Sequence, residues 1–323
     1  MLMAESLRPG ERMTSDLLAT AAGAADQAAR AAGVVVRELA SLDELEAMIT
    51  LFDAIWEPDT GNSSLPLDLA RAMVKAGNYA SGAYDSATGQ LLGACMGFFG
   101  PPVHAELHSH IAGVLPAGLG RSVGFALKVH QRAWCLRRDV RVIAWTYDPL
   151  IRRNAYFNLV KLGALPVEYL QNFYGALDDV INVGTETDRL LVHWDLLSGF
   201  ANASGGQPTP GSLAAERSRG AVVVLSAGPD GRPVAGGPNV DGALSTGGAL
   251  STGGVVSSGD GGTFLVGVPA DIEAMRVADP ALGAAWRTAL RDALTPLLAG
   301  GARVTGFDRS GWYIVSTDKA GHE

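Results

Sequence analysis

The stretch His110-Ile-Ala-Gly-Val-Leu-Pro-Ala-Gly-Leu-Gly-Arg-Ser-Val-Gly-Phe-Ala-Leu-Lys128 decides how this chain is read. An apolar run stops at Pro116 and gives way to a turn of small residues from Gly118 to Gly124. A helix then opens near Arg121 and continues to about Arg137. Such a turn aims several backbone N–H groups one way at the positive end of a helix dipole, which suits a phosphate or pyrophosphate. Gly120 and Gly124 carry no Cβ, so the backbone can approach a ligand closely. Two other phosphate-binding patterns do not fit. The turn lacks the Gly-Lys-Ser/Thr of a P-loop, and it lies mid-chain after four strands rather than after the first strand of a dinucleotide fold.

Upstream, Val34 to Leu39 is β-branched and reads as a strand. Ser41-Leu-Asp-Glu44 forms a capping box. Leu42, Leu45, Ile49, Phe52 and Trp56 follow at helical spacing, and a second short helix covers Leu67 to Lys75. Strands follow over Tyr79–Tyr84, Leu91–Phe99 and His104–Leu115. Downstream come a strand over Arg141–Tyr147, a helix over Leu150–Lys161, and strands over Leu165–Tyr174 and Arg189–Leu196. This order predicts an α/β arrangement on a mixed sheet, spanning residues 34–197. Residues 1–33 read as a flexible tail with a helical segment between Ser15 and Ala32.

Beyond a linker at 198–219, residues 220–323 read as a small α+β unit. It holds strands at Gly220–Ala227, Thr263–Val268, Arg303–Phe307 and Trp312–Ser316. Asp279-Pro280 opens a helix faced by Leu282, Trp286, Leu290, Ala293 and Leu297. Between them, residues 228–262 are rich in Gly and Ser and repeat Ala-Leu-Ser-Thr-Gly-Gly in tandem from Ala243 to Gly254. Too little apolar surface is present there to offset ordering entropy, so this reads as a mobile loop.

Composition bounds the partners. The 323 residues are 47% hydrophobic and 18% charged, enough for two domains with real cores. A formal net charge of −8 speaks against a nucleic-acid partner and suits a cationic amine. No apolar run is long enough to cross a membrane. Asp16 and Asp26 interrupt any secretory signal, so a soluble cytoplasmic protein is expected. Cys95 and Cys135 stand alone, without zinc spacing, and read as core; no metal is expected.

The element order and the turn together resemble the GNAT N-acetyltransferase superfamily over Val34 to Leu197, in particular a poorly characterised bacterial branch of predicted acetyltransferases. The family's pyrophosphate loop reads Gln/Arg-x-x-Gly-x-Gly/Ala. Leu119-Gly120-Arg121-Ser122-Val123-Gly124 occupies it here; Gly124 matches, while Leu119 and Ser122 stand where the family has Gln/Arg and Gly. Trp145 to Ala164 resembles the family's fifth strand and fourth helix, with Asn154 opening the helix and Gly163 ending it. The resemblance implies a mixed, mainly antiparallel sheet flanked by helices, and acetyl-CoA or another acyl-CoA as co-substrate. It implies direct acyl transfer in a ternary complex to a primary amine, on a small molecule or a peptide. Gly113, Val114, Gly120, Arg121, Ser122, Val123, Gly124 and Asn154 are then the expected cofactor contacts. Trp56, Phe98 and Phe99 fall at the acceptor pocket.

Acyl transfer to an amine needs a base, an oxyanion donor and an acid for the leaving thiolate. Alternation along the fourth strand puts Glu106, His108 and His110 on one face as candidate bases, His110 being nearest the turn. Their structural alternative is an ordinary hydrogen-bonded strand face. The resemblance places the oxyanion amide near Gly113 or Val114. Where the family often has a tyrosine acid, four residues before Gly163, this chain has Leu159, and Tyr156 lies one turn earlier. Arg121, Lys128, Arg152 and Arg153 could pair with phosphate oxygens. A catalytically degenerate acyl-CoA sensor or interaction module is the alternative function. The C-terminal unit could cover the acceptor pocket or form a homodimer interface.

Overall fold

A computed structural model describes residues 13–56, 63–101, 106–175, 186–198, 213–236 and 262–317. The chain divides into two units, residues 1–145 with 194–199, and residues 146–193 with 200–323. The sequence places the division at the 198–219 linker; instead it falls inside β5 (Val142–Tyr147) and β7 (Arg189–Asp195). Residues 237–261 of the expected mobile loop, 199–212 of the linker and 1–12 of the tail lie outside the described residues.

In the first unit, α1 (Ser15–Ala32) precedes β1 (Val34–Glu38), α2 (Leu42–Trp56) and α3 (Leu67–Lys75). Strands β2 (Tyr79–Asp85), β3 (Leu91–Phe99) and β4 (Leu107–Val114) follow, then α4 (Val123–Leu136). The strands lie in the order β1-β2-β3-β4-β5, antiparallel except for the parallel pair of β4 and β5. The capping box forms as read. Glu44 accepts from the amides of Ala40 and Ser41, which hold its carboxyl down to about 2, and Ser41 Oγ accepts the Glu44 amide. Leu45, Met48, Ile49 and Phe52 of α2 then pack on Ala80, Ala94 and Met96 of one sheet face.

The Ser15–Ala32 segment is a structural helix rather than part of a tail. Thr14 caps it through the Leu17 amide, Gly33 ends it at φ +65°, and it packs on α4. Ala21, Ala25 and Ala32 are its buried residues, small enough for close helix approach.

The second unit contains α5 (Arg152–Ala155), which runs into a π-helix at Tyr156–Leu162, then β6 (Leu165–Leu170) paired antiparallel with β7. It continues with α6 (Leu213–Ser218), β8 (Val222–Ala227), β9 (Pro233–Ala235), β10 (Thr263–Gly267), α7 (Ile272–Ala278), α8 (Pro280–Ala299), β11 (Arg303–Asp308) and β12 (Trp312–Ser316). The sheet order is β11-β12-β10-β8-β9, with β8 and β10 parallel and the other neighbours antiparallel. Residues 228–236, read as the start of the loop, instead turn back and pair β9 with β8. Trp286, Leu290 and Leu294 of α8 form the core with Leu265, Phe307 and Tyr313.

The division falls within β5 because the residues after Trp145 are anchored in the second unit. Tyr147 and Tyr313 hydroxyls meet at 3.2 Å, and Tyr313 donates to the Pro149 carbonyl at 2.7 Å. Asp148 is fully enclosed. Arg287 donates to both its oxygens at 2.8 Å and Arg276 to one at 2.7 Å. These guanidinium groups hold the Asp148 carboxyl well below the usual range against the opposing effect of burial. The counter-cations of Asp148 are thus supplied by the chain itself.

Candidate active site

The Gly118–Gly124 turn has the conformation its sequence suggests and one feature it does not. Pro116–Gly118 form a 3-10 turn, Gly120 has φ +75°, and Ser122 caps α4 at φ +65° and ψ 23°. A left-handed backbone is costly for a residue with a Cβ, and Ser122 makes no side-chain cap in return. The first turn of α4 therefore presents backbone amides that the Ser122 side chain does not cap, and helical bonding starts with the Ala126 amide to the Ser122 carbonyl. A Cβ at Gly124 would meet nothing nearer than Val114 Cγ2 at 3.7 Å, so protein packing does not require glycine there. The absence of that crowding is consistent with close approach by a ligand.

Beside the turn runs the edge of β4. Its parallel pairing with β5 consists of Leu107↔Ile143 and His108↔Ala144. Among the described residues no further pairing is seen on that side for Ser109–Val114, while the other edge of β4 pairs with β3. Gly113 is buried, and a Cβ on it would stand 2.6 Å from Ile55 and 2.9 Å from Trp56. Trp56 thus packs over the β4 backbone, edge-tilted against Phe52 at 5.6 Å.

A bulge lies within the histidine face. Met96 pairs with Ile111 and Gly97 with Ser109, so His110 is the extra residue on β4. His108 and His110, two apart on the strand, lie on one side and meet Phe98, at ring separations of 5.1 and 5.6 Å, and lie 6.2 Å from each other. His110 reaches solvent, while His108 is half-buried. Burial, followed by the charges of His110 and Lys128, pushes His108 down to about 4; burial also lowers His110. Glu106 sits half-buried one residue before the strand. Phe99 lies on the opposite side of β3 from Phe98, half-buried, with its ring stacked on Trp134 of α4 at 6.0 Å.

Two cations predicted for phosphates are otherwise engaged. Arg121 donates to the carbonyls of Ala32 and Gly33 and pairs with Asp85 at 2.8 Å. Its guanidinium ties the turn to the end of α1, and its contribution to a ligand falls to the backbone. Lys128 is buried beneath the sheet. Its Nζ donates to Ser109 Oγ at 2.8 Å and Gln131 Oε1 at 3.2 Å, and lies 3.9 Å above the Trp145 ring. It has no carboxylate partner among the described residues, and burial lowers it to about 8. Sequence reasoning missed this because a lone lysine in a helix looks like part of a solvated face.

In the second unit, Asn154 is half-buried in α5. Leu159 is buried inside the π-helix, and Tyr156 begins that helix with Arg309 4.8 Å above its ring. Arg153 pairs bidentately with Glu273, and Arg152 donates to the Arg309 carbonyl. Tyr169 donates to Asp188 at 2.6 Å, and the Tyr174 hydroxyl meets Thr146 at 3.0 Å.

No protein-family model matches the chain, and no curated protein matches it. Solved structures similar to it include the ribosomal-protein-S5-alanine acetyltransferase of Vibrio fischeri, at 14% identity and TM-score 0.41 over 51% of this chain and 94% of that one. An aminoglycoside 6'-N-acetyltransferase complexed with coenzyme A is similar at 16% identity and TM-score 0.39, over 51% and 98%. An acetyltransferase of the GNAT family from Streptococcus pneumoniae is similar at 12% identity and TM-score 0.40, over 50% and 97%. Likeness at this level does not extend to activity. Among the described residues, no helix is long and apolar enough to cross a membrane, and no cluster of His, Cys, Asp and Glu is arranged to hold a metal.

Proposed function

We propose that the chain is an acyl-CoA-dependent N-acyltransferase that passes an acetyl group to a primary amine by direct attack. The carrying observation is the β4 edge, without further pairing over Ser109–Val114 among the described residues, running into an uncapped helix start. Peptide-like groups of a pantetheine arm can pair with the Ser109–Val114 backbone, and a pyrophosphate can take the amides at Ser122–Gly124. Ser122 supports the reading in a specific way. It stands where the family resemblance has glycine, and it holds the left-handed backbone that glycine adopts freely. The Val114 amide, which points away from β3 while those of Gly113 and Leu115 face it, is the oxyanion donor in this reading, and His110, solvent-accessible at the bulge, takes the ammonium proton. Its lowered pKa keeps it neutral and able to accept at pH 7.

The test is a thermal-shift titration with CoA, acetyl-CoA and longer acyl-CoAs, on the parent and on Gly124→Glu. Space around Gly124 lets the variant fold while its carboxylate repels phosphate. Binding to the native state alone raises stability by about 2.7 kcal/mol at a hundredfold excess over Kd. A shift in the parent that Gly124→Glu abolishes supports the site; no shift with any thioester removes the acyl-CoA premise. With turnover, the acidic limb of the pH–rate profile should lie below 6.5 and disappear in His110→Ala.

A second reading rests on Leu159. A buried leucine supplies no proton to a departing thiolate, which suits an acyl-CoA sensor with lost chemistry. Clear CoA affinity without turnover on any amine would favour it.

A further inference from the structure

The second unit has a cavity of about 380 Å³ that the proposed acyl transfer does not use. One wall is Ile151–Arg153 with Tyr156, the other is Ala270–Glu273, and Arg309 comes from the β11–β12 turn. From these residues we infer a binding site for a small anion, a carboxylate or phosphate on a short apolar stem, held by Arg309 and Arg152.

The arginines are pre-arranged. Asp308 accepts the Ser310 amide at 2.7 Å and the Gly311 amide donates to the Asp308 carbonyl, which fixes the turn carrying Arg309. The Arg309 guanidinium then lies 4.8 Å over the Tyr156 ring and makes no hydrogen bond or ion pair among the described residues. Arg152 commits only its Nε, 2.9 Å from the Arg309 carbonyl, leaving its terminal nitrogens uncommitted among those residues. The other charges facing the cavity are occupied. Glu273 is neutralised by Arg153, and Asp271 accepts the Ala274 amide. Among the lining residues Arg152, Arg153 and Arg309 face Asp271 and Glu273, with the Asp308 carboxylate near Arg152 bringing the local balance to neutral, so recognition rests on the uncommitted guanidinium donors rather than on net charge.

A guanidinium stacked on an aromatic face keeps its edge donors pointing outward in one plane, the geometry that takes two anion oxygens together. Ile151, Ala270 and Ile272 supply an apolar lining for a stem. Holding the cation in place beforehand removes part of the ordering cost of binding. Tyr156, a candidate acid by sequence, serves here as the platform for Arg309.

The site can be tested on the full chain without any thioester, so its fate is separate from that of the acyl-CoA reading. Inorganic phosphate and n-butyrate are titrated separately at low chloride, following arginine Nε–Hε resonances by NMR. Saturable shifts are expected with at least one anion, and which one responds identifies the head group. Binding should weaken at least about tenfold in Arg309→Gln and in Arg152→Gln, and stay unchanged in Arg303→Gln on the exposed side of β11. Failure of both anions to saturate, or equal affinity in Arg309→Gln, overturns the proposal.

Discussion

The two units bury positive charge in opposite ways. The first encloses Lys128 among a hydroxyl, an amide and an indole ring, with no carboxylate partner among the described residues. The second encloses Arg276 and Arg287 around Asp148, while Asp188, itself fully buried, receives Arg291 through both carboxylate oxygens. A lysine without a counter-charge can lower its burial cost by losing a proton. Arginine cannot, so it needs the carboxylate. The first arrangement responds to pH, and the second is fixed across the whole physiological range.

The comparison breaks most visibly at Asp148. Asp148→Asn leaves two buried guanidinium groups without their shared anion and should cost about 3–5 kcal/mol, read as a lower urea midpoint. Lys128→Met should act in the other direction. With the lysine held near 8 against 10.5 unfolded, the folded state binds fewer protons than the unfolded state between those values. Stability therefore rises with pH from about 8 towards 10, and the contribution is lost as pH falls through 8. Removing the charge should raise stability near neutrality by about 1–3 kcal/mol and flatten that rise. A flat profile in the parent would show that Lys128 stays charged or finds another partner. The smallest effect is expected at Ser122. Ser122→Gly relieves the left-handed strain and should stabilise by about 1 kcal/mol in a thermal melt, offset in part by the greater freedom of the unfolded glycine.

Much of the fold is legible in the sequence because its signals are local. The Ser41–Glu44 box, the helical spacing of Leu45, Ile49 and Phe52, and the Asp279-Pro280 start all appear where the sequence puts them. The features that stay hidden depend on long-range pairing. Strict alternation groups Glu106, His108 and His110, but the register that sets His108 opposite Phe98 and leaves His110 as the extra residue of a bulge is not visible in it. Phe98 and Phe99 are adjacent in sequence and separated by the sheet. The π-helix from Tyr156 has no sequence mark, since it arises from packing rather than propensity. The place of the domain division is hidden for the same reason: the arginine partners of Asp148 lie more than a hundred residues away.

The reach of Arg121 alters how the amino-terminal stretch should be regarded. Its guanidinium holds the carbonyls of Ala32 and Gly33, so the loop that faces the proposed cofactor and the end of α1 share a single clasp. Rigidity gained at either end is then passed to the other. A molecule settling on the Gly118–Gly124 loop would slow amide hydrogen exchange in the closing turn of α1, some ninety residues earlier in the chain. Trimming the protein back to Val34, as its Ala-rich composition invites, would leave that loop looser before any cofactor arrived.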